Sequence, residues 1–158
     1  MLTLSWTTPV TVPGDPATAR DRLWRALLDK AENPVPYVPA ITACTVVERY
    51  ADGFLREAVR GERRLVQRVF ADEAAGRVVF RHVDGTDFAE IRDQLGEAGD
   101  GRPTLTLAVR LTAEATERAE HDSEYVRALN QDFEATLAEM TQALLAAAAR
   151  FGELAGVR

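Results

Sequence analysis

The chain has 158 residues, 46% of them hydrophobic and 28% charged, and a formal net charge of −6 from 25 acidic and 19 basic side chains. That length fits one domain spanning 1–158, with a core large enough to fold without metal or disulfide staples. The negative balance argues against nucleic acid as the main partner, since phosphate binding needs a concentrated positive field, and the single cysteine, Cys44, rules out an intrachain disulfide and makes a reducing, cytoplasmic setting the expectation.

No basic start followed by an apolar stretch opens the chain, so no signal peptide is expected. The longest apolar run, "ALLAAAA" at 143–149, falls far short of the roughly 20 residues of a membrane helix, and no membrane insertion is expected. Arginine outnumbers lysine eighteen to one, which reads as genome bias rather than a binding signal.

"MLTLSWTTPVTV" alternates Leu2, Leu4 and Trp6 against Thr3, Ser5 and Thr7, the period of a half-buried strand. In "PGDPATARDRLWRALLDKAENP" the period changes. Asp15 suits an N-cap, Pro16 the first helical position, and Leu23, Leu27 and Ala31 form one apolar stripe. Asn33-Pro34 stops the helix, and "VPYVP" at 35–39 makes a short turn carrying Tyr37.

Extended stretches follow at 40–50, at "FLREAVR" and "ERRLVQRVF" on either side of Gly61, at 77–83, at 87–95 and at 104–113. "DGT" at 84–86 reads as a hairpin turn, because Asp-Gly tolerates positive φ, and 96–103 as a glycine-rich tip. The chain ends in a long helix, from about residue 116 or 122 to about 151, with Leu129, Phe133, Leu137, Met140, Leu144, Ala147 and Phe151 at three- and four-residue steps. Short links between successive strands predict an antiparallel meander, and its apolar face needs the final helix as a cover.

Candidate chemistry follows from those faces. If Leu55 and Val59 point inward, Glu57 points with them, and a partly desolvated carboxylate suits acid–base work; the alternative pairs Glu57 with an arginine at the sheet edge. His82 shares a face with Val78 and Phe80 and is the natural general acid or base near neutral pH, or else a rim or structural residue. Gln67, with Leu65 and Val69, and Tyr37 are placed to orient a ligand, with Phe80, Leu107, Phe133 and Leu137 as apolar walls. Glu90 and Arg92 clamp a ligand if Phe88 faces inward, and are solvated if Ala89 and Ile91 do. His82, His121 and Cys44 are too scattered for a metal site, no dinucleotide or phosphate-loop fingerprint occurs, and no cofactor is expected. In "HDS" at 121–123, Asp122 and Ser123 cap or begin the last helix.

The stretches "RLWRALLDKAENPVPYVPAITACTVVER", "GFLREAVRG" and "RVVF", in this order of elements, resemble the START and birch-pollen-allergen superfamily, often called SRPBCC, and within it the AtaL-like branch. The resemblance spans nearly the whole chain. It implies an α+β helix-grip fold, a curved antiparallel sheet of six to seven strands wrapped around a long C-terminal helix, with a short pair of helical segments after the first strand. It also implies a cavity between sheet and helix for a hydrophobic or aromatic small molecule, with a cyclase- or dehydratase-like step in secondary metabolism. A non-catalytic carrier, a homodimeric interaction module and a lipid-binding protein are the alternatives, since a shared fold does not fix an activity.

Overall fold

The computed structural model describes residues 1–83 and 85–156. Strand β1 (Thr3–Pro9) leads into helix α1 (Pro16–Glu32). The Asp15 carboxylate accepts from Thr18 N at 3.0 Å and Thr18 Oγ1 at 2.7 Å, so the helix begins where the capping chemistry places it. After α1 the chain makes a turn around residues 35–37. The expected pair of helical segments is therefore one helix and a turn, because Pro34, Pro36 and Pro39 leave no room for a second helical run.

Six strands follow: β2 (Ile41–Tyr50), β3 (Gly53–Arg60), β4 (Arg63–Asp72), β5 (Arg77–His82), β6 (Phe88–Glu97) and β7 (Pro103–Leu111). All pairings are antiparallel, in the order β1-β7-β6-β5-β4-β3-β2, so the meander closes on β1. Gly53, which opens β3 at φ +154°, has no substitute, since a Cβ there would lie 1.9 Å from the Val69 carbonyl oxygen. Asp84 of the expected "DGT" turn lies outside the described residues.

The C-terminal cover comes in two pieces, α2 (Ala113–His121) and α3 (Ser123–Gly156). Asp122 has an extended backbone between them, and its side chain accepts from Tyr125 N at 3.0 Å, capping α3. Leu129, Phe133, Leu137, Met140, Leu144 and Ala147 of α3 are buried in one cluster with Leu23 and Leu27 of α1 and with Phe54, Val69, Val78, Phe80, Leu105 and Leu107 of the sheet. Trp6 of β1 stacks on Phe133 at 5.1 Å and donates Nε1–H to Asn130 Oδ1 at 3.1 Å, fastening the sheet edge to α3. This is the helix-grip arrangement, with the long helix laid against one face of the sheet.

Candidate functional site

The interior face of β3 is the one that carries Phe54, Arg56 and Ala58, all buried. The expected inward set of Leu55, Glu57 and Val59 lies on the other side. Glu57 pairs there with Arg64 at 2.6 Å, its side chain 32% exposed. The reason is cross-strand register. The two-residue turn Gly61-Glu62 places Arg56 opposite Gln67 and Glu57 opposite Val66, so whichever way Gln67 points, Arg56 points with it.

Gln67 points inward, as expected, and this brings a guanidinium into the core. Arg56, 4% exposed, donates from Nε to Gln67 Oε1 at 2.8 Å and from an Nη to the Ala31 carbonyl at 2.8 Å, near the end of α1. Burial lowers its pKa to about 10, with Cys44 and Asp93 partly offsetting that shift, so it stays cationic at neutral pH. Its guanidinium lies 4.5 Å from the centre of the Phe80 ring. Cys44 is partly buried, and desolvation raises its thiol pKa against the pull of Arg56.

Lys30, the single lysine of the chain, extends from α1 to the same place. Its Nζ lies 2.7 Å from Asp93 Oδ2 of β6 and 5.0 Å from the centre of the Phe80 ring. Lys30 is 6% exposed and Asp93 0%, a charge pair held inside an apolar frame. Asp93 Oδ1 has no hydrogen-bond partner among the described residues.

These groups line a cavity of about 80 Å³ between sheet and α3, walled by Phe80, Ile91, Leu107, Phe133 and Met140. Arg60, Leu65 and Ile91 are shared with a wider recess of about 320 Å³ that includes His82, Thr86 and Phe88. A further recess of about 410 Å³ between Val12 and Ala149 has Arg22 as its one charged group and no convergence of polar atoms.

Of the residues picked out in the sequence, Gln67, Phe80, Leu107 and Phe133 come together around the cavity. Leu137 is core beside it. His82 stands in the adjoining recess, its Nε2 3.0 Å from Gln67 Nε2 and its Nδ1 3.2 Å from Thr86 Oγ1.

Tyr37 is buried in the core away from the cavity and donates its hydroxyl to Asp29, so it anchors the turn after α1 rather than a ligand. Burial first, and then the Asp29 carboxylate, raise its pKa. Glu90 and Arg92 are on the outer face, where Glu90 faces Arg81 at 3.5 Å and Arg110 at 3.8 Å. An irregularity between Phe88 and Glu90 accounts for this. It lets Phe88 pack edge-on against Phe133 at 5.3 Å while Ile91 also lines the cavity, which no strict alternation allows.

A seven-stranded antiparallel sheet gripping a long C-terminal helix over a buried recess defines the helix-grip class of the SRPBCC superfamily. The AtaL family, described as acetylaranotin biosynthesis cluster protein L, matches residues 4–147, and the chain belongs to it. Solved structures share the fold. The di-domain ARO/CYC protein BexL from the BE-7585A biosynthetic pathway superposes with a TM-score of 0.68 at 18% identity over 91% of this chain and 46% of that one. This chain thus spans about half the length of that di-domain protein. The Zhui aromatase/cyclase from a Streptomyces species gives 0.65 at 15% identity over 94% of both chains, and a START superfamily protein from Mycobacterium smegmatis gives 0.61 at 17% over 94% and 98%. Among curated proteins none matches the sequence. Among the described residues, no helix is long and apolar enough to cross a membrane.

Proposed function

We propose that the chain binds a hydrophobic or aromatic small molecule between the sheet and α3, and carries out an acid–base step of the cyclase or dehydratase kind in secondary metabolism. The observation that carries this reading is an apolar cavity into which a buried Arg56–Gln67 pair and a buried Lys30–Asp93 pair converge. An engineered apolar cavity of ~150 Å³ takes benzene, so the 80 Å³ space holds only the inserted end of a ligand. The body of the molecule occupies the adjoining recess beside Leu65, His82 and Phe88.

In this reading Arg56 and Lys30 present positive charge to a carbonyl or enolate oxygen, and Asp93 or His82 takes or returns a proton, which cyclisation or dehydration of a carbonyl compound requires. Glu57 has no part in it, because it faces away. The cytoplasmic setting rests on the lone Cys44.

A non-catalytic carrier is the second reading. It is favoured by the engagement of Arg56 with Gln67 and Ala31, which already uses two of the guanidinium's N–H groups. Native mass spectrometry of freshly purified protein is the direct test. A retained small molecule supports ligand binding, and protein that carries nothing and shows no calorimetric binding of planar aromatics removes it. A polyhydroxylated ligand recovered with one water lost marks the enzyme; one recovered unchanged marks the carrier.

A further inference from the structure

Among the described residues Asp93 is the one acidic side chain lining the cavity, and its two oxygens differ. Oδ2 is taken by Lys30 at 2.7 Å, whereas Oδ1 is buried and has no hydrogen-bond partner among the described residues. Buried carboxylate oxygens are almost always paired, and an unpaired one on a residue that lines a cavity marks a place that a donor fills. We propose that this donor is a hydroxyl of the ligand: the cavity selects an aromatic or conjugated molecule whose inserted end carries a phenolic or enolic O–H, accepted by Asp93 Oδ1. The inference rests on the ligand-binding reading above and adds the chemical class of the ligand.

Charge decides against a cationic donor. Lys30, Arg56 and Arg60 line the same space against the single carboxylate, so an ammonium group is repelled where a neutral hydroxyl is not. The walls of Phe80, Leu107 and Phe133 favour a flat apolar body over a sugar or a polyol. The N–H groups of Arg56 that Gln67 and Ala31 do not occupy suit a carbonyl adjacent to that hydroxyl, the pairing found in an enolised dicarbonyl or an acyl phenol.

The test uses the full-length protein at neutral pH and three probes, naphthalene, 2-methoxynaphthalene and 2-naphthol, with affinities from isothermal titration calorimetry. The hydroxyl probe is expected to bind about tenfold more tightly than its methyl ether, the value of one hydrogen bond to a charged acceptor. Asp93→Asn sharpens the result. Lys30 has only donors, so the new amide turns its oxygen to Lys30 and presents N–H where Oδ1 stood; phenol and ether oxygens both accept from it, and the preference for the hydroxyl is lost.

Equal affinities of 2-naphthol and its ether for the wild type overturn the proposal while leaving ligand binding in place. A preference for the hydroxyl that survives Asp93→Asn also overturns it, because the hydroxyl is then read elsewhere. Failure of all three probes to bind the wild type removes the ligand-binding reading itself. The wild-type comparison decides the matter even if the variant does not fold.

Discussion

Arg56 Nε donates to Gln67 Oε1 across 2.8 Å, and because a guanidinium can only donate, this bond fixes which end of the Gln67 amide faces His82. The amide nitrogen lies 3.0 Å from His82 Nε2, so that ring nitrogen accepts. The ring proton of the neutral form is then on Nδ1, directed at Thr86 Oγ1 at 3.2 Å, while the Thr86 hydroxyl donates to the Phe88 carbonyl at 2.9 Å. One chain of polar contacts thus links the buried cation to the mouth of the recess. Nitrogen-15 spectra of His82 at neutral pH should show the Nδ1–H tautomer. A neutral Nε2–H tautomer would contradict this orientation of the amide.

The Lys30–Asp93 pair should behave as a buried ion pair. Lys30→Met leaves an uncompensated carboxylate and should cost about 3–5 kcal/mol of unfolding free energy, while the double change Lys30→Met with Asp93→Leu should cost clearly less than the two single changes summed. Urea denaturation of the four proteins gives the coupling. Additive losses would mean that the two charges do not stabilise each other.

The fold was legible because its signals are local and periodic. The Asp15-Pro16 cap, the alternation of Leu105, Leu107 and Val109, and the stripe from Leu129 to Ala147 each state their own element. The site was only half legible. Gln67, Phe80, Leu107 and Phe133 follow from alternation or helical period, but Arg56 does not, because "GFLREAVR" offers apolar residues on both faces. What decides between them lies outside the strand itself: the Gly61-Glu62 turn pairs Arg56 with Gln67, and the Ala31 carbonyl supplies a second acceptor. Reading the hairpin register outward from Gly61 would have found Arg56. Asp93 carries no such signal, since the irregularity beside Phe88 resets the alternation of β6, and Lys30 looks like any lysine on a helix until β6 supplies its partner.

Two substitutions separate the outer face from the inner one. Glu57→Gln removes a half-exposed ion pair with Arg64 and should shift stability by no more than about 0.5 kcal/mol, with ligand affinity unchanged. Gln67→Leu strips the buried Arg56 Nε of its acceptor and should cost about 1–3 kcal/mol, with weakened binding of planar aromatics. Thermal melts and calorimetry on the two variants check both effects. A Glu57→Gln protein with impaired binding would put that carboxylate back in the site.

Alkaline pH should loosen the fold through the buried phenol of Tyr37 and the half-buried one of Tyr125. Desolvation, reinforced by the hydrogen bond to Asp29, raises the pKa of Tyr37 above the ordinary value near 10, and desolvation with Asp87 pushes Tyr125 up to about 12. Above pH 10 the unfolded chain has released these protons while the folded chain still holds them, so unfolding releases protons and stability falls as pH rises. The contribution is complete below about pH 10 and is lost progressively through the raised values. Tyr37→Phe should cost about 1 kcal/mol at neutral pH through the lost hydrogen bond, yet flatten the decline on the alkaline side. Urea midpoints measured from about pH 8 to about pH 11 test this, and an alkaline slope identical in the variant and the wild type would mean that the Tyr37 hydroxyl is not held protonated by the fold.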